Sequence, residues 1–208
     1  EWATMASMNT HRCGCAAVLK GKYIYVFGGW NRKECNKSSI GGLRSAERYS
    51  IADNTWEILR DMAHGRVEHC AAVVGTNDIY IVGGASSSRS VEVFDTARLR
   101  WKFVENNLLR DMMPGKRAFA AAVVLQDRYF VVLGGDDDDE GRVDSTDGCF
   151  IFDTLLNRWS IRTTNMKVSR SFHTAAILGG KIVIAGGLDG NRQGLASAEV
   201  IDVCDLLE

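Results

Sequence analysis

The densest run of metal-capable oxygens is Asp136-x-Asp138-x-Glu140-Gly141, which continues to Val143, Asp144 and Asp147. Acids at positions one, three and five, glycine at six, an aliphatic at eight and acids at nine and twelve give the spacing of a calcium loop. Calcium takes about six to eight hard oxygens, so Asp136, Asp138, Glu140, Asp144 and Asp147 are the candidate ligands. No helical pattern flanks the run, position five is Glu and position twelve is the shorter Asp. The competing reading is a self-repelling, solvated acidic tip. His69 and His173 each stand three residues after an arginine, Arg66 or Arg170. Two such imidazoles could chelate a transition metal if the fold brought them together; otherwise each is a strand histidine bonded to backbone. Cys13, Cys15, Cys35, Cys70, Cys149 and Cys204 follow no metal-ligand spacing and read as reduced structural thiols in a cytosolic setting. No nucleophile elbow, phosphate loop or zinc-protease helix is present, so catalysis and a cofactor are not expected.

The elements that must position these residues repeat. Ile79-Tyr80-Ile81-Val82-Gly83-Gly84 has counterparts at Tyr23 to Gly29, Tyr129 to Gly135 and Lys181 to Gly187. Each is an apolar, β-branched or aromatic run that ends at two glycines, the pattern of a buried strand leading into a sharp turn. The second glycines lie 55, 51 and 52 residues apart, a period that marks a repeat architecture. Arg12, Arg66, Arg117 and Arg170 recur in step, each four residues after a methionine: Met8, Met62, Met113 and Met166. An alanine-rich strand follows each arginine. Upstream stand Trp2, Trp56, Trp101 and Trp159, and seven residues before the last three are Tyr49, Phe94 and Phe152.

This order of arginine, small apolar strand, apolar strand ending in Gly-Gly, variable loop, aromatic and tryptophan resembles the kelch repeat. The resemblance covers essentially the whole chain. It implies an all-β fold: a kelch-type β-propeller with four repeats of four-stranded antiparallel blades. Blade one is expected over about 12–59, blade two over 66–104, blade three over 117–161 and blade four over 170–203. Residues 1–5 are expected to supply the last strand of blade four and close the ring. The whole of 1–208 then forms one domain, which can belong to a longer chain. Buried arginines need acceptors. Glu47, Glu92 and Glu199 recur as partners, and Phe150 fills that column in blade three, so Arg117 must find another.

Kelch relatives recruit substrates to ubiquitin ligases or bind actin and signalling proteins. The resemblance therefore implies a cytoplasmic, non-catalytic module for protein–protein interaction, a substrate-recognition or scaffold domain. Selectivity belongs to the loops that do not repeat. Loop one is basic and loop three acidic, a dipolar rim for a protein or peptide partner. The candidate contacts are Trp30, Arg32, Lys33, Arg44, Arg89, Asp137, Asp139 and Arg192. A formal net charge of −1 gives no global field for nucleic acid or an anionic membrane, and no apolar stretch is long enough to span a bilayer. The alternative is a metal-dependent enzyme or calcium-regulated binder that uses the paired histidines or the acidic segment 136–147. Residues 57–64 loosely resemble the Glu/Asp/His iron motif of kelch-type specifier proteins, with His64 one residue too close to Asp61.

Overall fold

The structure, a computed structural model, describes residues 2–31, 41–85, 89–102, 113–139, 142–162 and 165–207. Four antiparallel sheets follow one another about a common axis, a four-bladed β-propeller arrangement. Blade one holds β1 (Ala16–Lys20), β2 (Tyr23–Phe27), β3 (Ala46–Ser50) and β4 (Thr55–Ile58). Blade two holds β5 (Cys70–Val74), β6 (Asp78–Val82), β7 (Val91–Asp95) and β8 (Arg100–Trp101). Blade three holds β9 (Ala121–Leu125), β10 (Tyr129–Leu133), β13 (Cys149–Asp153) and β14 (Arg158–Ile161). Its loop adds a hairpin of β11 (Asp136–Asp139) and β12 (Arg142–Ser145). Blade four holds β15 (Thr174–Leu178), β16 (Lys181–Ala185) and β17 (Ala198–Asp202), followed by the short helix α1 (Val203–Leu207).

Within each blade the strands pair in chain order, and the first strands β1, β5, β9 and β15 adjoin one another. These alanine-rich strands lie innermost because small side chains let backbones converge. Register explains the seven-residue spacing. Tyr49 stands opposite Trp56, Phe94 opposite Trp101 and Phe152 opposite Trp159 across the β3–β4 type of hairpin. The ring centroids of these pairs are 5.2, 5.0 and 5.1 Å apart, within the range where aromatic pairs attract.

The core lies between blades. Tyr25 and Phe27 of blade one pack on Ile79, Ile81 and Phe94 of blade two. Val82, Val91 and Val93 of blade two meet Phe130, Val132, Phe150 and Phe152 of blade three. Val131, Leu133, Cys149 and Ile151 of blade three meet Ile182 and Ile184 of blade four, where Leu206 of α1 completes the cluster.

The expected closure by residues 1–5 is not what the structure shows. Among the described residues blade four has three strands, and residues 2–8 form none. Trp2 is fully exposed. The segment is instead pinned to blade one. The Ala6 N–H donates to Asn54 Oδ1, Trp56 Nε1 donates to the Ala6 carbonyl, and Asn9 and Thr10 donate to Glu47. Local polar partners decide the matter: the same connector precedes blade two, where Trp101 Nε1 donates to the Arg60 carbonyl. The face of blade four turned away from blade three is solvated, with Val200 60% and Leu178 72% exposed.

Candidate partner-binding rim on the loop face

Strand direction sorts the loops. The start of each first strand pairs with the end of the second, so the repeated arginines, the glycine pairs and the long loops share one face. The short turns, such as 21–22 and 51–54, lie on the other.

The arginines hold this face together. Arg12, Arg66 and Arg170 have fully buried side chains. Arg12 donates to the carbonyls of Gly28 and Ser45, to Ser45 Oγ and to Glu47. Arg66 makes the same set with Gly83, Ser90 and Glu92, and Arg170 with Gly186, Ser197 and Glu199. Burial pushes the Glu47 and Glu199 carboxyls up, but the arginine and backbone hydrogen bonds outweigh it and leave both below the ordinary carboxylate range. Blade three lacks the glutamate, as its sequence foretells, and has Gly148 in place of the serine. There Arg117 donates to Asp137 at 3.0 Å and to the Lys116 carbonyl, and its guanidinium lies 4.2 Å from the centroid of the Phe150 ring. Asp137, a candidate partner contact, is thus the substitute acceptor.

Between blades the second glycine of each pair donates its N–H to the next arginine's carbonyl. Gly29 bonds Arg66 at 2.7 Å, Gly84 bonds Arg117 at 2.9 Å and Gly135 bonds Arg170 at 2.7 Å. A Cβ on Gly28 would stand 2.6 Å from that Arg66 oxygen, so the pair must be glycine for backbones to meet.

A second inter-blade ladder runs two residues after each arginine. The Glu68 N–H donates to the Gly14 carbonyl, Phe119 to Glu68, and Phe172 to Phe119, at 2.8, 3.0 and 2.9 Å. All four residues lie in the left-handed region, with φ of 61, 54, 56 and 57°. For a bulky residue this costs about 1–3 kcal/mol and persists only where neighbours over-determine it. The result is a rim of side chains around the axis on the loop face. Phe119 and Phe172 stack with centroids 4.0 Å apart and planes 26° apart, and Phe172 is 50% exposed. Glu68 is half-buried; its Oε1 lies 2.5 Å from where a Gly14 Cβ would be, and burial raises its pKa. Sequence reasoning passed over these residues. The available signal was Gly14, which marks a column where positive φ is required in every repeat.

The named loop residues fall into separate places. Trp30 is exposed beside this rim, paired to Cys13. Arg44 and Arg89 are exposed, yet each donates Nε to the carbonyl of a connector methionine, Met62 or Met113. They therefore also brace the scaffold. Arg192 reaches across from blade four to Asp136 at 2.9 Å. Arg32 and Lys33 lie outside the described residues, as does the side chain of Asp139.

The acidic segment is a hairpin, with Asp136 opposite Ser145 and Asp137 opposite Asp144. Asp136 pairs with Arg192 and accepts from Ser145, and Asp137 pairs with Arg117. Asp147 accepts from Asn165. Glu140 and the side chain of Asp138 lie outside the described residues. Among the described residues no three His, Cys, Asp or Glu side chains cluster as metal ligands. His69 packs against Gly28 and His173 against Gly134, each at the turn of the preceding blade. Burial and then the adjacent arginine push their pKa values down to about 3 and about 4, so both imidazoles are neutral at pH 7. The His64 N–H donates to Glu92, which places the loose iron-motif resemblance within the scaffold.

The chain belongs to the kelch-repeat family. The KLHDC2/KLHL20/DRC7 Kelch-repeats domain matches residues 68–205, and the Kelch motif matches residues 11–63. Among its relatives is alpha-scruin of Limulus polyphemus, 25% identical over 217 residues, covering 100% of this chain and 22% of that protein. Human Kelch-like protein 15 is 27% identical over 206 residues, covering 90% of this chain and 32% of its own length. Human Kelch-like protein 38 is 28% identical over 255 residues, covering 97% and 41%. The chain thus spans less than half the length of these relatives. No described helix is long and apolar enough to cross a membrane.

Proposed function

We propose that this chain is a non-catalytic, cytoplasmic interaction domain that takes a partner protein or peptide on its loop face, in a substrate-recognition or scaffolding role. The site centres on Phe119, Phe172 and Glu68, with Trp30, Arg44, Arg89 and Arg192 around it. Arg32, Lys33 and Asp139 belong to the same reading as rim charges. The observation that carries it is the stacked pair of half-buried Phe119 and exposed Phe172, held in left-handed backbone by inter-blade hydrogen bonds. Folding gains nothing from an exposed aromatic in a strained conformation, whereas buried aromatic anchors dominate protein interfaces. Arg44 and Arg89 are preorganised by their bonds to methionine carbonyls, which lowers the ordering cost of a contact.

The test is amide NMR with a peptide selected from a displayed random library. Perturbations are expected at residues 13–14, 67–68, 118–119 and 171–172. Perturbations confined to the opposite turns, 21–22, 51–54, 126–127 and 179–180, defeat the reading.

A further inference from the structure

We infer that the inner rim selects a cationic side chain, arginine above lysine, from an extended partner segment. The guanidinium would lie over the exposed Phe172 ring and direct its N–H groups at the Glu68 carboxylate. This rests on the loop-face reading and adds the chemistry of the occupant.

The argument is one of unmatched charge. The carboxylates Glu47, Glu92, Asp137 and Glu199 each hold a buried arginine, and Asp136 holds Arg192. Glu68 is half-buried on the same face, yet no hydrogen bond or ion pair reaches its carboxylate among the described residues. Burying a carboxylate without a counter-ion is unfavourable, and its raised pKa reports that cost. A cation delivered by a partner removes it. Next to Glu68 in the ladder is Phe119, whose N–H donates to the Glu68 carbonyl, and next to Phe119 is Phe172, whose N–H donates to the Phe119 carbonyl. An aromatic face and an unpaired carboxylate on one rim attract a flat cation twice over, through the ring quadrupole and through the charge. Arginine meets both demands with one planar group; lysine offers a point charge without the stacking plane. The protein already shows the chemistry internally: Arg117 lies 4.2 Å from the centroid of Phe150 while donating to Asp137. Among the described residues the rim presents the mirror of that pairing, an aromatic ring and an acid on one ladder with no cation bonded to the acid.

The experiment uses the whole chain and random heptapeptides displayed on phage, with the enriched sequences resynthesised. Enriched peptides are expected to share one arginine or lysine. Replacing it with citrulline, of the same shape and no charge, is expected to weaken binding about tenfold or more by calorimetry. Glu68→Gln should weaken the arginine peptide about tenfold and leave the citrulline peptide nearly unchanged; Phe172→Ala should weaken both. Enriched peptides that map to the loop face by NMR but lack a common cation, or that bind equally as citrulline, overturn this inference and leave the loop-face reading standing. Peptides that bind elsewhere, or a library that yields no binder, overturn both. The citrulline comparison needs no protein variant, so misfolding cannot imitate the result.

Discussion

Removing Glu47 should cost more stability than any surface charge in the molecule. Its carboxylate is 1% exposed and faces Arg12, whose side chain is 0% exposed. It accepts from Asn9 N, Asn9 Nδ2, Thr10 N, Arg12 Nε and Arg12 Nη2. Glu47→Ala leaves a buried guanidinium with only backbone carbonyls and Ser45 Oγ, and frees two connector N–H groups. Breaking a buried pair from one side costs about 3–5 kcal/mol. Against a typical total of about 5–15 kcal/mol, that is a large share. With a urea slope of about 2 kcal/mol/M, the midpoint should fall by about 2 M. The internal control is blade three. Asp137 is 37% exposed and the Phe150 ring stays over Arg117, so Asp137→Ala should cost only about 1 kcal/mol. A second control replaces both partners: Arg12→Met with Glu47→Leu should recover most of the loss, because apolar packing substitutes well for a buried pair. Equal shifts for Glu47→Ala and Asp137→Ala, or a Glu47→Ala shift below about 0.5 M, would refute the claim that these arginines brace the blades.

Acid should weaken the fold through His69 and His173. Their folded pKa values, about 3 and about 4, lie below the ordinary value of 6.5, so between those limits the unfolded chain takes up protons that the native state refuses. Each histidine then removes about 1.4 kcal/mol per pH unit, about 4 kcal/mol for the pair at pH 5, and urea melts of His69→Asn/His173→Asn should show a flatter loss between pH 6.5 and 5. Gly84→Ala should cost well over 2 kcal/mol, since φ is 100° and its Cβ would stand 2.8 Å from the Val67 oxygen. Gly21→Ala, with no atom within 4 Å of its Cβ, should cost about 1 kcal/mol, and thermal melts of the two variants check the contrast. Exposed Cys13 should react with a disulfide reagent in the native state. Cys70 and Cys149, buried and pushed up to about 12, should react only after unfolding, as timed thiol titration would show.

Much of the fold was legible because the chain repeats itself and each repeat obeys a local rule. Alternating apolar residues specify strands, Gly-Gly specifies a left-handed turn, and an aromatic seven residues before a tryptophan specifies a hairpin register. The need of Arg117 for a different acceptor was also legible, since Phe150 breaks the glutamate column. That the acceptor is Asp137 was not, because the choice depends on how the β11–β12 hairpin folds back over blade three. The same holds for Arg44 and Arg89. Their charge marked them as rim residues, but only the packed connectors show them bonded to methionine carbonyls.

The amino-acid order by itself determined the strands, the repeat and the family, because burial patterns and turn residues act over short distances along the chain. Tertiary structure decided where residues 2–8 lie, which carboxylate Arg117 holds, and that Glu68, Phe119 and Phe172 form one rim. Those outcomes come from contacts between segments distant in the chain, some twenty residues apart for Arg117 and Asp137 and some fifty for the rim, where the packing of strands and sheets, not local preference, selects the partner.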